Sequence, residues 1–212
     1  PGSVFKIVTA SAAIEENKVS ENDKFFCENG SYQFGTHVLH DHTSHGMLTF
    51  REVIGQSSNI GTVKVAMILG NNTIHHYVKL FGFGVKSGIG LPGEVSGMVS
   101  DPRTWSKISI TAIPIGQEVG VTVLQLVDAI SVIANGGLLI KPSIIREVRD
   151  RYGVSIKKFT PVVVRRVISP QTAERVREIL RGVVDEGTGK LAAVPGFSSG
   201  GKTGTGQKLE PS

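Results

Sequence analysis

Apolar residues recur at helical spacing through most of the first two thirds of the chain. From Ser3 to Ile14 they follow the 3.6-residue period with no breaker, directly after Pro1-Gly2. Residues 17–46 are polar and rich in Asn, Ser, Gly and His, and 81–97 are rich in glycine, so both stretches predict loops. The helical period, often with a capping residue or proline at its start, predicts further helices at 49–56, 60–69, 71–81, 122–134 and 170–186.

The period changes after Asn135-Gly136-Gly137, which ends the helix predicted for residues 122–134. Segments rich in β-branched residues predict strands at 138–145, 154–159 and 162–168, and the glycine-rich stretch 196–208 predicts another strand. Together these elements predict an α+β fold, in which a helical lobe packs beside an antiparallel sheet.

The composition narrows the class of protein. The chain has 212 residues, of which 40% are hydrophobic and 19% charged, an ordinary globular balance. The net charge is +5, but the basic residues are scattered, so we expect a solvated basic surface and no nucleic-acid partner. The single cysteine, Cys27, excludes an intrachain disulfide. No apolar run reaches the ~18 residues that span a bilayer. Because Pro1-Gly2-Ser3 is typical of the entrance to a helix, we expect the chain to be part of a longer protein.

Residues 196–206 match three catalytic patterns, and their surroundings favour one of them. Residues 196–203 fit a phosphate-binding loop, but that motif needs a helix where this chain continues with Gly204-Thr205-Gly206. Residues 196–200 fit the G-x-S-x-G nucleophile elbow, but that motif needs a strand, a turn and a helix, and no helix is predicted after Ser199. Lys202-Thr203-Gly204 instead fits K-T-G, which accompanies S-x-x-K and S-x-N in serine acyltransferases.

Each of these three elements occurs more than once. The predicted secondary structure around each copy must therefore show which copy could be catalytic. S-x-x-K occurs at Ser3/Lys6, Ser155/Lys158 and Ser199/Lys202, S-x-N at 20–22 and 57–59, and K-[ST]-G at 86–88 and 202–204. Ser3 and Lys6 share one face of a predicted helix, with Ser3 in the first turn, where free N–H groups favour an oxyanion. Ser155 and Lys158 fall in a predicted strand and face opposite sides. Ser57 to Asn59 lie between two predicted helices, whereas 20–22 lie in a polar loop.

The selected residues suit acyl transfer through a serine. The Ser3 hydroxyl is a poor nucleophile until a base takes its proton. Lys6 can be that base if burial and a second cation, Lys202, lower its pKa towards neutrality. Ser57 can relay a proton to the leaving amine, and Asn59 can donate to a substrate amide carbonyl while holding Lys6 in place.

The third element suits recognition of a substrate terminus. Lys202, Thr203 and Thr205, with Gly204 between the threonines, suit a terminal carboxylate. The backbone N–H groups of Ser3 and Thr205 would form an oxyanion hole.

A dense histidine cluster suggests a different chemistry. His37, His40, His42 and His45 lie close in sequence to Asp41, and zinc ligands could be drawn from this set. The segment is nevertheless polar and loop-like, so we favour a solvated loop and expect no metal site.

At this level the chain resembles the transpeptidase domain of penicillin-binding proteins, and it is similar to the class B, monofunctional type. The resemblance covers nearly all 212 residues and rests on blocks in family order: PGSVFK (1–6), GMLTFREVIGQSSNIGTVKVA (46–66), FGFGVKSGIGLPGE (81–94), IGQEVGVTVLQLVDAISVIANGG (115–137) and GGKTGTGQK (200–208). It implies the roles given above, the penicillin-recognising serine acyltransferase fold, and no cofactor. It further implies that 1–212 is a partial catalytic domain, with a mainly helical part at 1–137 and a strand-rich part at 138–212 that ends in the K-T-G strand.

The resemblance also implies substrates, partners and a location. A D-alanyl-D-alanine stem peptide would be the donor, an amine the acceptor, and β-lactams covalent inhibitors. A glycan polymerase and division or elongation proteins would be partners. The enzyme would act on the outer face of the bacterial cytoplasmic membrane, anchored by an N-terminal segment that this chain lacks.

Two alternatives use the same three elements. A D,D-carboxypeptidase or β-lactamase would hydrolyse the acyl-enzyme, and a class A β-lactamase needs a glutamate for this, for which Glu94 and Glu118 are candidates. A penicillin sensor would stop at the acyl-enzyme. Measured penicillin turnover would distinguish the first alternative from a transpeptidase, which should stay acylated. Transmembrane signalling segments in the flanking sequence would identify the second.

Overall fold

A computed structural model describes residues 1–206. Within this range the helices are α1 (Lys6–Glu15), α2 (Phe50–Gly55), α3 (Asn59–Leu69), α4 (Asn71–Leu80), α5 (Ser109–Ala112), α6 (Val123–Ala134) and α7 (Pro170–Asp185). The strands are β1 (Lys24–Phe26), β2 (Ser31–Phe34), β3 (His37–His40), β4 (Met47–Thr49), β5 (Leu138–Lys141), β6 (Glu147–Arg149), β7 (Ser155–Lys158) and β8 (Val162–Arg166). None of the helices in 1–206 combines the length and hydropathy that crossing a bilayer requires.

Capping residues explain why the predicted helices begin where they do. Thr49 and Thr122 form capping boxes at α2 and α6, and Ser58 and Ser169 accept hydrogen bonds from the first turns of α3 and α7. The first helix starts later than expected, because Gly2–Phe5 form a 3₁₀ turn and the α-helix begins at Lys6. The short α5 was not predicted.

The strands pair antiparallel in four separate two-stranded ladders, β1–β4, β2–β3, β5–β8 and β6–β7. The α+β class is therefore confirmed. The loop predicted for residues 17–46 is wrong in part, since it contains β1 to β3, which are only three or four residues long. Alternation over so few residues is too short to recognise, and β1 finds its partner β4 across 20 residues of chain.

The glycine-rich strand predicted for 196–208 is not present in its described part, residues 196–206, and Gln207 and Lys208 lie outside the described range. A strand is defined by ladder bonds to a neighbour, and none of the strands in 1–206 pairs with this segment. Its backbone is instead attached to a helix, because the Gly201 N–H donates to the Leu180 carbonyl of α7 at 3.1 Å.

The core is built around α1, whose residues from Lys6 to Ile14 are all buried. This helix packs against α3, α4 and α7, so its polar residues Lys6, Thr9 and Ser11 are buried together with its apolar ones. Just before it, the Phe5 and Phe83 rings pack with centroids 5.0 Å apart. A fully enclosed helix leaves its first residue, Lys6, inside the protein rather than in solvent.

The turn that carries Ser3 is wedged between two other segments. The Gly2 N–H donates to the Gly116 carbonyl at 3.1 Å, and a Cβ on Gly116 would lie 2.1 Å from the Gly2 oxygen. On the other side, a Cβ on Gly2 would lie 2.3 Å from the Thr205 oxygen. Only glycine fits this close backbone approach.

Gly116→Ala should therefore destabilise the protein by about 1–3 kcal/mol, because the added methyl group forces the Ser3 turn to move. Thermal unfolding measures the effect. Gly153→Ala is the matched control: its φ of +82° resembles the +79° of Gly116, but no atom lies within 4 Å of the added Cβ. Equal losses of stability in the two variants would show that strain at positive φ, and not the contact with Gly2, is responsible.

Candidate active site

Lys6 is completely buried at the first position of α1. Its Nζ donates to the Ser57 carbonyl oxygen at 2.6 Å and to Asn59 Oδ1 at 2.8 Å, and it lies 3.2 Å from Ser57 Oγ. The first two partners are carbonyl oxygens, which can only accept. A neutral amine has two hydrogens, so these partners use both and leave its lone pair for a hydroxyl.

Burial lowers the pKa of Lys6 to about 7. Loss of solvation is the largest cause, the nearby Lys202 cation lowers the pKa further, and the Asp41 carboxylate raises it. A substantial fraction of Lys6 is therefore neutral at physiological pH, as a general base must be.

Ser57 lies in the short connection between α2 and α3 and has a φ of +60°. A residue other than glycine is uncommon in this region, and such strained positions cluster at functional sites. The backbone conformation allows the carbonyl and the hydroxyl of Ser57 to face the same lysine.

Lys202 approaches the same hydroxyl from the C-terminal segment. Its Nζ donates to Ser57 Oγ at 2.8 Å and contacts the Thr203 carbonyl oxygen at 3.1 Å and Thr203 Oγ1 at 3.3 Å. Burial lowers the pKa of Lys202 to about 8. The structure thus joins the second and third predicted elements through one oxygen, Ser57 Oγ, which lies between two lysines.

Ser3 lies in the 3₁₀ turn that leads into α1 and is partly exposed. Within the described residues, no hydrogen bond links its Oγ to Lys6. Catalytic hydrogen bonds are often long before substrate binds. The third element lies directly against this turn: a Cβ on Gly204 would be 2.6 Å from Val4 Cγ2 and 3.3 Å from the Pro1 oxygen. Thr203, Gly204 and Thr205 are exposed.

The copies that sequence reasoning set aside lie in other settings. Ser155 and Lys158 are exposed on β7, Ser20 bonds to Asp23, and Ser87 bonds to Glu94. Among the described residues, none of these side chains bonds to Lys6, Ser57 or Lys202. Residues 198–206 contain no helix, so neither the phosphate loop nor the nucleophile elbow has the helix it requires.

Sequence reasoning missed the residues that hold the second element in place. Asp41 follows β3 and accepts hydrogen bonds from Ser58 Oγ at 2.6 Å, from the Ile60 N–H at 3.0 Å and from the Asn59 N–H. The His40 carbonyl accepts from Asn59 Nδ2 at 2.9 Å. Both Asp41 oxygens therefore accept hydrogen bonds from the start of α3.

In the part of the chain that the structure describes, no group of three or more His, Cys, Asp or Glu side chains is arranged to hold a metal ion.

Thr188 was also missed. It follows α7, its N–H donates to the Gly55 carbonyl at 3.1 Å, and its Oγ1 lies 2.8 Å from Thr203 Oγ1. It therefore connects the end of α2, two residues before Ser57, with the third element. A lone threonine after a helix gives no signal of such a contact in sequence.

The family model for the "Penicillin binding protein transpeptidase domain" matches residues 1–212. Among curated proteins, the chain is 39% identical to penicillin-binding protein PbpB of Mycobacterium tuberculosis over 220 residues, covering 100% of this chain and 32% of PbpB. It is also 39% identical to stage V sporulation protein D of Bacillus subtilis, covering 99% of this chain and 33% of that protein. The chain thus spans about a third of the length of these relatives.

Solved structures agree with this match. Penicillin-binding protein 3 of Mycobacterium tuberculosis, in complex with aztreonam, superposes with a TM-score of 0.91 at 39% identity, covering 100% of this chain and 49% of that one. The transpeptidase domain of penicillin-binding protein 3 from Burkholderia pseudomallei gives a TM-score of 0.89 at 32% identity, covering 99% and 61%. With a family model that matches from the first residue to the last, this chain belongs to the penicillin-binding protein transpeptidase family.

Proposed function

We propose that the protein is a class B D-alanyl-D-alanine transpeptidase, which cross-links peptidoglycan stem peptides through an acyl-enzyme on Ser3. The observation that best supports this proposal is the position of Ser57 Oγ, 2.8 Å from Lys202 Nζ and 3.2 Å from Lys6 Nζ. A hydroxyl between two lysines of lowered pKa is suited to moving protons at neutral pH.

In the first step, neutral Lys6 takes the proton of Ser3, and Ser3 Oγ attacks the carbonyl carbon of the penultimate D-alanine. The backbone N–H groups of Ser3 and Thr205 would stabilise the resulting oxyanion, where each donor contributes about 3–4 kcal/mol. The C–N bond to the terminal D-alanine then breaks. Ser57 gives its proton to the leaving amine and regains one from protonated Lys6, so the number of protons balances.

The donor peptide would be held at both of its ends. Lys202 supplies a positive charge to the terminal carboxylate, and the Thr203 and Thr205 hydroxyls supply donors on either side of Gly204. Asn59 uses one Nδ2 hydrogen on the His40 carbonyl, and its second hydrogen is available for a substrate amide carbonyl.

In the second step, an acceptor amine attacks the ester carbonyl, an amide bond forms, and Ser3 regains its proton.

A β-lactam would acylate Ser3 as the donor peptide does in the first step. Because its ring opens without releasing a separate amine, no leaving group vacates the site, and the enzyme remains acylated. The relative from Mycobacterium tuberculosis has been solved in complex with aztreonam and with ampicillin.

The wider setting belongs to the same proposal. Residues 1–137 would be the mainly helical part and residues 138–212 the remainder of one catalytic domain, of which the structure describes residues 138–206. The protein would act on the outer face of the cytoplasmic membrane, held by an N-terminal anchor, and would work with a glycan polymerase and with division or elongation proteins.

Transpeptidation can be tested with an acyl-D-Ala-D-Ala donor and a D-amino acid as acceptor. We expect an aminolysis product that increases with acceptor concentration, and slow release of bound benzylpenicillin. Rapid penicillin turnover, or hydrolysed donor alone at saturating acceptor, would favour the carboxypeptidase or β-lactamase alternative. Acylation with no peptide product would favour a sensor. Glu94 accepts hydrogen bonds from the Ser87 N–H and hydroxyl. These contacts argue against a role for Glu94 in deacylation.

A further inference from the structure

The segment after β3 packs beneath the second catalytic element without belonging to it. Asp41 accepts from Ser58 Oγ at 2.6 Å and from the N–H groups of Asn59 and Ile60. Ser58 in turn caps α3 by accepting from the Gly61 N–H at 2.9 Å. A carboxylate at this position satisfies free N–H groups and interacts favourably with the positive end of an eleven-residue helix.

The same segment also fixes the side chain of Asn59. Its Nδ2 donates to the His40 carbonyl at 2.9 Å, which turns Oδ1 towards Lys6 Nζ at 2.8 Å. Asp41 therefore holds the backbone of Asn59, and the neighbouring residue holds its amide. Movement of this segment would shift the acceptors that use the two hydrogens of neutral Lys6.

We infer that Asp41 is a positioning residue of the active site, which fixes Ser57 to Asn59 relative to Lys6 and supplies a negative charge that the Lys6 amine senses. This inference rests on the proposed function, because it concerns the base that acts on Ser3. Asp41 contacts neither Ser3 nor the carboxylate-binding residues among the described hydrogen bonds, so it acts through Lys6 and the second element.

The charged groups around Lys6 have opposite effects on its pKa. Lys202, on the C-terminal segment, lowers the pKa of Lys6, and Asp41 raises it. The hydrogen-bond partners of Lys6 are neutral: Ser57, which precedes α3, and Asn59, the first residue of α3. Lys64, also on α3, is paired with Glu28. Cys27 lies against Ser58, and its pKa is raised, chiefly by burial, so it stays protonated near neutral pH.

Removal of the Asp41 charge should therefore make Lys6 easier to deprotonate. In Asp41→Asn the pKa of Lys6 should fall, so the neutral base appears at lower pH. In a plot of acylation rate against pH, the acid limb should therefore move to lower pH. The maximal rate should fall about tenfold, because an amide offers one oxygen where the carboxylate offered two. A purely structural residue would lower the rate without moving the limb.

The experiment measures the second-order rate constant of acylation by benzylpenicillin from pH 5 to 9, with thermal unfolding of each variant. Asp150→Asn is the matched control, because Asp150 also accepts from two backbone N–H groups, those of Tyr152 and Val154, but on the β6–β7 hairpin. It should keep the wild-type profile. Asp41→Glu retains the charge but displaces it, so it should keep the acid limb while its rate falls at least threefold.

An acid limb that stays at the wild-type pH in folded Asp41→Asn would overturn the inference. If that variant does not fold, Asp41→Glu decides alone, and a wild-type rate in it would overturn the positioning role. Failure of the proposed function would be recognised separately, because the wild-type protein would then either show no acylation at any pH or become acylated without forming the aminolysis product.

Discussion

Replacement of Lys6 with arginine should reduce the rate of acylation by benzylpenicillin by about 10²- to 10⁴-fold, the contribution typical of a general base. Lys6 has a pKa of about 7, so it can take a proton at neutral pH, whereas arginine keeps its charge and cannot be deprotonated. In the wild-type protein the acylation rate should rise with pH through about 7, as Lys6 becomes neutral. The arginine variant should lose this dependence.

Stopped-flow or quenched labelling measures the rate, and thermal unfolding establishes that the variant folds, since a larger side chain enters a buried site. Lys158→Arg is the control, because Lys158 belongs to another S-x-x-K copy but is exposed on β7. A folded Lys6→Arg protein that acylates within tenfold of wild type would show that Lys6 supplies charge and not a base.

Replacement of Ser3 with alanine should abolish labelling by a fluorescent penicillin altogether. The variant removes the oxygen that forms the ester bond, so no slower route through the same intermediate remains. The loss of one hydroxyl from a partly exposed turn should change stability by less than about 1 kcal/mol.

Ser155→Ala is the control for this prediction. Ser155 also begins an S-x-x-K pattern but is exposed on the β6–β7 hairpin, so its variant should label like wild type. Loss of labelling in Ser155→Ala, with retention in Ser3→Ala, would transfer the nucleophile to the other copy.

The sequence predicted the helices well because their signals are local. Apolar spacing and caps such as Thr49 and Ser169 lie within a few residues of the helices they start. The strands were harder to predict. For example, β1 depends on a partner 20 residues away, and its three residues are too few to show an alternation of apolar and polar side chains. The C-terminal segment has β-compatible spacing, but no neighbouring strand in the described chain offers it ladder bonds.

The candidate site shows the same limit. Ser3, Lys6, Ser57, Asn59 and Lys202 could be chosen because spacing and local setting separate them from their copies. The roles of Asp41 and Thr188 could not be predicted, because they come from contacts between 15 and 133 residues away in the chain.

The lysine pKa values depend on the folded interior and not on sequence spacing. Burial is the largest cause of the lowered pKa of both Lys6 and Lys202. The positive φ of Ser57, in the connection between α2 and α3, is likewise seen only in the folded chain.

The position of the covalent adduct is the most direct test of Ser3 as the nucleophile. After incubation with benzylpenicillin, proteolysis and mass spectrometry should place the adduct on Ser3, in the peptide that ends at Lys6. The adduct should form faster at pH 8 than at pH 6, because the base that activates Ser3 has a pKa of about 7. An adduct on Ser57, Ser155 or Ser198, with Ser3 unmodified, would contradict the assignment of Ser3 as the nucleophile.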